Sequence, residues 1–178
     1  MTSLTRDPLL TAAKALLLVL MAVLCFAGVV IVGVIPVVLV AHGQVTAKLA
    51  EAMPGVDPWQ AIGAIIALLV LAFVLLALVF QSLRLLKHIV DTVGEGDPFV
   101  PANARRLTQM AWLVLAVQVV TLPMGAIGLW IGSVVKDVHV HTDAGISGNG
   151  LLLMLVLFIL ARVFRQGAAM REELEGTG

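Results

Sequence analysis

Charged residues make up only 12% of the 178-residue chain, and its 11 basic side chains cancel its 11 acidic ones. With no excess of either sign, the total charge gives no reason to expect a nucleic acid or an acidic substrate as a direct partner. Cysteine is nearly absent: Cys25 stands alone inside an apolar run, which excludes an intrachain disulfide and a multi-cysteine zinc site. There is no His-Glu-x-x-His helix, no Gly-x-Ser-x-Gly elbow and no phosphate-cradling glycine loop, so neither an enzyme activity nor a cofactor is expected. No Lys, Arg, Asp, Glu or His interrupts the uncharged core of any long apolar run, which removes the usual proton relay or coupling-ion carboxylate of a transporter. The two halves show no inverted repeat either.

What is abundant is apolar surface. Hydrophobic residues reach 61% and the mean hydropathy is +1.09, beyond ordinary globular usage, so the chain belongs in a bilayer. Residues 16–40 form the first uncharged run; 25 residues at about 1.5 Å each exceed the roughly 30 Å hydrocarbon core. That run is too long for a signal-peptide core and is expected to stay in the mature protein, with a bend at Pro36. A second span is predicted over 62–80, a third over about 110–135 and a fourth over 151–164. The fourth has only 11 uncharged residues, 151–161, and needs an earlier start near Ile146 plus snorkelling of Arg162 and Arg165. Residues 42–58 read as a polar connection, with Pro54-Gly55 and Asp57-Pro58 as turn signals. The expected fold is all-α: one polytopic domain over residues 1–178 with four transmembrane helices.

Nine of the eleven Lys and Arg residues fall in the lead-in, the central loop region and the C-terminal end; only Lys48 and Lys136 lie in the other two connections. The positive-inside rule therefore predicts both termini and the central loop in the cytoplasm, N-in and C-in. Tryptophans agree, since Trp59 and Trp130 fall at outer ends and Trp112 at an inner end. Trp112 and Trp130 are 18 residues apart, roughly 27 Å along a helix, the separation of two aromatic belts. Residues 81–109 are then a cytoplasmic amphipathic extension and loop, and 166–178 a cytoplasmic tail. In the extension, Leu83, Leu86, Val90 and Val93 are predicted to share the apolar face, opposite Arg84, Lys87, His88 and Asp91.

Three features carry local information. In the third span, Gly125, Gly128 and Gly132 share one helical face, suited to close approach by the Gly63 and Ala67 face of the second span or by a second copy of the chain. Gln118, an amide inside a span, is expected to find an interhelical hydrogen bond; with Thr121 and the Pro123-Gly125 break it could instead line a transport path. His139, His141 and Asp143 alternate so that a strand would put them on one face, where with His42 they could meet a divalent metal, but His-x-His alone is unspecific and no metal is assigned.

The central loop is the most distinctive stretch. Gly94 and Gly96 end a helix, Asp97-Pro98 turns the chain, Phe99 offers an aromatic side chain, and Pro101 or Asn103 can start the next helix. Arg105 and Arg106 follow in the first turn, where the helix dipole disfavours cations, so headgroups or the acidic tail should compensate. Gly96-Asp97-Pro98-Phe99, Asn103-Ala104-Arg105-Arg106-Leu107, Ile159-Leu160-Ala161-Arg162-Val163-Phe164 with Gly167, and the ending Arg171-Glu172-Glu173-Leu174-Glu175-Gly176-Thr177 resemble the bacterial domain of unknown function 2975 family. That family has four spans and no established activity. Its members are often encoded beside a small helix-turn-helix regulator of the Cro/repressor type, so the resemblance implies a membrane partner of a transcription factor. A regulatory membrane protein that binds such a partner through Asp97, Phe99, Asn103, Arg105, Arg106, Glu172, Glu173 and Glu175 is the expectation; a small transporter or channel is the alternative.

Overall fold

The computed structural model describes residues 8–53, 55–135, 145 and 147–176, and all regular structure among them is helical. Helix α1 is Pro8–Val40, α2 His42–Ala52, α3 Pro58–Gly94, α4 Pro101–Val134 and α5 Gly148–Gly176. Four of these, all but α2, are long and apolar enough to cross a membrane. The all-α, four-span architecture expected from the apolar runs is the one found. Each span is longer than its uncharged core because the helix continues past the hydrocarbon boundary: α3 has 37 residues, about 55 Å, against a core of roughly 30 Å. The fourth span starts slightly earlier than predicted, at Gly148, where Ser147 O accepts the Leu151 N–H at 3.1 Å, and its helix runs on past Phe164 to Gly176.

The polar connection over 42–58 differs from expectation in holding a helix. Ala47, Lys48, Leu49, Ala50 and Glu51 are good helix formers, so α2 runs to Ala52; Gly55, whose φ of +97° few other residues adopt, belongs to the turn that follows. Asp57 then caps α3, its carboxylate accepting the Trp59 N–H at 3.0 Å, with Pro58 in the first helical position where no N–H is needed.

The long helices lie in sequence order. Helix α3 packs against α1 and α4, α4 against α3 and α5, and α2 against α3 and the end of α1; among the described residues no other pair of helices comes within backbone distance. The result is a layer, α1–α3–α4–α5, and most of its side chains point outward. Leu17 is the one buried residue of α1, and Phe26, Val29, Val40, Leu152 and Ile159 are all exposed, as apolar side chains facing acyl chains would be.

The tightest seam joins α4 to α5. On α4 the buried residues Ala104, Leu107, Ala111, Gln118 and Gly125 recur at spacings of three, four and seven, the register of two helices packed side by side. On α5, Gly150, Met154, Leu157, Ala161 and Phe164 alternate at four and three. Ala111 and Ala161 are almost wholly enclosed, and with Leu107, Leu157 and Ile89 of α3 they form the core. Small residues at such a seam let backbones approach, which in lipid replaces the hydrophobic drive of a soluble core. Gly125, Gly128 and Gly132 continue this register, Gly125 buried and the other two half-buried. Gly63, expected opposite them, is exposed, with nothing within 4 Å of where its Cβ would be, and Ala67 is half-buried. Helix α3 meets α4 through Leu85 and Ile89 at the other end.

Candidate partner surface at the charged end

The start of α1, the α3–α4 turn and the end of α5 lie at one end of the layer, and polar side chains tie them together. The first tie starts from an i, i+4 pair on α3. Lys87 Nζ and Lys14 Nζ of α1 each lie 2.9 Å from one oxygen of the Asp91 carboxylate. Asp91 stands well past residue 80, where the apolar run ends, so it lies outside the spanning part of α3. Lys87 first, then Lys14, hydrogen-bond to its charged form and outweigh partial desolvation, so its pKa lies below the ordinary carboxylate range. The extension turns Lys87 and Asp91 toward α1, and Leu85, Ile89 and Thr92 toward α4. Its buried side is therefore centred on Leu85 and Ile89 and not on the predicted Leu83, Leu86, Val90 and Val93; Val93 is exposed.

The second tie holds the turn itself. Gly96, with φ +87°, ends α3 in a Schellman arrangement: the Gly96 N–H donates to Val93 O and the Asp97 N–H to Thr92 O, both at 3.1 Å. Asn103 then closes the turn from the α4 side. Its Nδ2 donates to Thr92 Oγ1 at 2.8 Å and Pro98 O at 2.9 Å, and its Oδ1 accepts from Arg106 Nη1 at 2.7 Å. Asn103 is fully buried. It was expected on a partner-facing surface; the structure places it inside, because its amide is the group that satisfies the turn.

The third tie brings α5 to the loop. The Phe99 ring packs against Phe164, centroids 5.4 Å apart, and over Gly167, where an added Cβ would lie 2.6 Å from the Phe99 ring. Arg171 pairs with the Asp97 carboxylate beside it. Asp97 and Phe99 are thus engaged by α5, and Arg106 by Asn103. Arg105, Glu172 and Glu173 are exposed, and Arg105 and Glu172 face each other across a groove between α4 and α5. The Glu175 side chain, His42, His139, His141 and Asp143 lie outside the described residues or side chains. Sequence reasoning missed Lys14, Thr92 and Arg165 as parts of this surface; the Lys87/Asp91 spacing was the one local signal of the first tie.

Toward the opposite end, Gln118 is buried and its Nε2 donates to Ser147 O at 2.8 Å, joining α4 to the start of α5. Gly150 makes room for it, since a Cβ there would lie 2.5 Å from the Gln118 amide nitrogen.

Four long apolar helices in a row, cross-tied at one end by charged and amide side chains, define a multi-pass, all-α membrane protein. The family described as Protein of unknown function (DUF2975) matches residues 44–177, taking in α3, α4 and α5, and the chain belongs to that family. No curated protein and no solved structure matches it.

Proposed function

We propose that the protein is a non-catalytic regulatory or sensory membrane protein of the bacterial cytoplasmic membrane, with both termini and the α3–α4 turn in the cytoplasm. Its charged end holds a cytoplasmic protein such as a small helix-turn-helix regulator. The observation that carries this reading is the cross-tied end itself: three polar ties fix the ends of α1, α3, α4 and α5 relative to one another beyond the apolar spans. A surface whose parts are already ordered loses little entropy on binding. Its acidic rim, Glu172 and Glu173, gives a partner with basic side chains something to meet, and the nine-to-two distribution of Lys and Arg supports a cytoplasmic position.

The alternative of a small transporter or channel draws on Gln118, Thr121 and the Pro123-Gly125 stretch. The Gln118 amide is already used by Ser147 O, and Thr121 Oγ1 donates to Gln118 O at 2.8 Å, so the structure offers no observation that favours a path there.

The test is flotation of a purified helix-turn-helix regulator from the same genome with vesicles that carry the protein. Binding that weakens in Glu172→Lys/Glu173→Lys but not in Gly63→Ala supports the reading. Solute flux into the vesicles that collapses in Gln118→Leu would replace it with the transport reading. Cysteine labelling at Gly96 and Gly145 decides orientation: Gly96 should react only from the cytoplasmic side and Gly145 only from outside.

A further inference from the structure

The groove between the first turn of α4 and the end of α5 has a volume of ≈ 300 Å3. Its lining includes the small side chains of Ala104, Ala168 and Ala169, and two guanidinium-bearing side chains, Arg105 and Arg165, line it from different helices. Among the described residues neither arginine has an ion pair: the Glu172 carboxylate borders the groove without reaching either one. Two like charges sharing one concavity repel each other. An anion between them would relieve that cost.

Depth says where that anion comes from. Trp112, exposed on the outside of α4 at the aromatic-belt level, is seven residues from Arg105, about 10 Å along the helix axis. Ala161, four residues before Arg165, is still part of the apolar core. Both guanidiniums therefore stand just outside the hydrocarbon, at the level of lipid phosphates, and each can donate two parallel N–H bonds to phosphate oxygens.

We infer that the groove between Arg105 and Arg165 binds the phosphate group of an anionic phospholipid. Ala104, Ala168 and Ala169 leave room for the phosphate, and Glu172, at the edge, weakens the binding by repulsion. The inference does not rest on the proposed function or on which side of the membrane the charged end faces; a lipid-blind groove leaves the partner reading standing.

The experiment uses the full chain in detergent and in nanodiscs of phosphatidylcholine, with and without phosphatidylglycerol, and native mass spectrometry to count retained lipid. Wild type is expected to retain phosphatidylglycerol. Arg105→Gln and Arg165→Gln should each weaken retention about fivefold and the double variant roughly 30-fold, following the usual contribution of a cation near an anionic headgroup. Arg84→Gln, an exposed arginine on α3 outside the groove, should retain lipid like wild type, and Glu172→Gln should retain more. Equal unfolding temperatures of wild type and double variant in phosphatidylcholine alone show that folding is intact; the single variants carry the test if the double one unfolds. Undiminished retention in both single variants would overturn the inference. So would displacement of the lipid by excess inorganic phosphate, which would make the ligand a soluble phosphate.

Discussion

The Phe99 ring occupies the space that any side chain at position 167 would need. An added Cβ on Gly167 would lie 2.6 Å from Phe99 Cδ1 and 2.9 Å from Cε1, so loop and α5 meet through a glycine. The contact lies beside the Arg171–Asp97 pair, and together they hold the end of α5 to the turn.

Gly167→Ala should therefore push Phe99 from its seat and destabilise the protein by about 1–3 kcal/mol, the range for overpacking a filled site. In a Phe99→Ala background the same change should cost little, because the obstructing ring is gone. Thermal unfolding of the four variants in detergent gives the cycle; strictly additive losses would mean that the two residues do not meet.

Asn103 concentrates the turn's polar accounts in one amide. Asn103→Leu keeps the volume approximately but strands Pro98 O, and leaves Thr92 Oγ1 and Arg106 Nη1 with only Ile89 O and His88 O as partners. A loss of about 1–3 kcal/mol follows from stranding buried polar groups, and faster hydrogen exchange at the Gly96 and Asp97 amides should accompany it. Arg105→Gln, on the exposed side of the same turn, should leave both measurements unchanged.

The spans were legible because uncharged runs of membrane length have no other home. The turn was legible because Gly96 and Pro101 each solve a backbone problem at a helix end. Side-by-side packing was not. In a soluble helix the apolar stripe names the packed face, whereas a helix in lipid is apolar all round, so Gly63 and Ala67 looked as suitable for a seam as Ala111 and Ala161. Helix α2 was masked by its neighbours Pro54-Gly55, which end a helix as readily as they mark a loop. Asn103 read as a surface polar residue, since nothing local reveals that Thr92, on the preceding helix, will lie against it. Gly167 drew attention only through a family resemblance, and its physical reason, the Phe99 ring, needed three dimensions.

The Lys14–Asp91–Lys87 tie carries a pH signature. The Asp91 pKa is lowered in the folded protein, so its contribution is present above the unfolded carboxylate value and is lost as pH falls through the lower folded value. Asp91→Asn should cost no more than about 1 kcal/mol at neutral pH, since all three groups are partly exposed, and should flatten the acid limb of a stability–pH curve. High salt should shrink the difference between wild type and variant. An acid limb unchanged by the substitution would assign that limb to other carboxylates.

The α4–α5 seam makes the sharpest prediction, because its two members near Gln118 fail in different ways. Gln118→Leu removes the donor to Ser147 O, which keeps the Leu151 N–H as a partner, so only one interhelical hydrogen bond is lost. Such bonds in lipid contribute about 0.6 kcal/mol on average, and the loss should be of that size. Gly150→Ala leaves the donor in place but drives a methyl group into the amide, 2.5 Å from Nε2 and 2.6 Å from Cδ, so either the amide or the helix must move. Its cost should exceed that of Gln118→Leu, at about 1–3 kcal/mol, because overpacking separates the backbones that the seam exists to bring together. Gly63→Ala, on a face open to its surroundings, should be nearly silent. Unfolding temperatures in detergent that rank Gly150→Ala lowest, Gln118→Leu next and Gly63→Ala beside wild type fit this seam. A large loss in Gly63→Ala accompanied by a change in oligomeric size would instead put a second copy of the chain on that face.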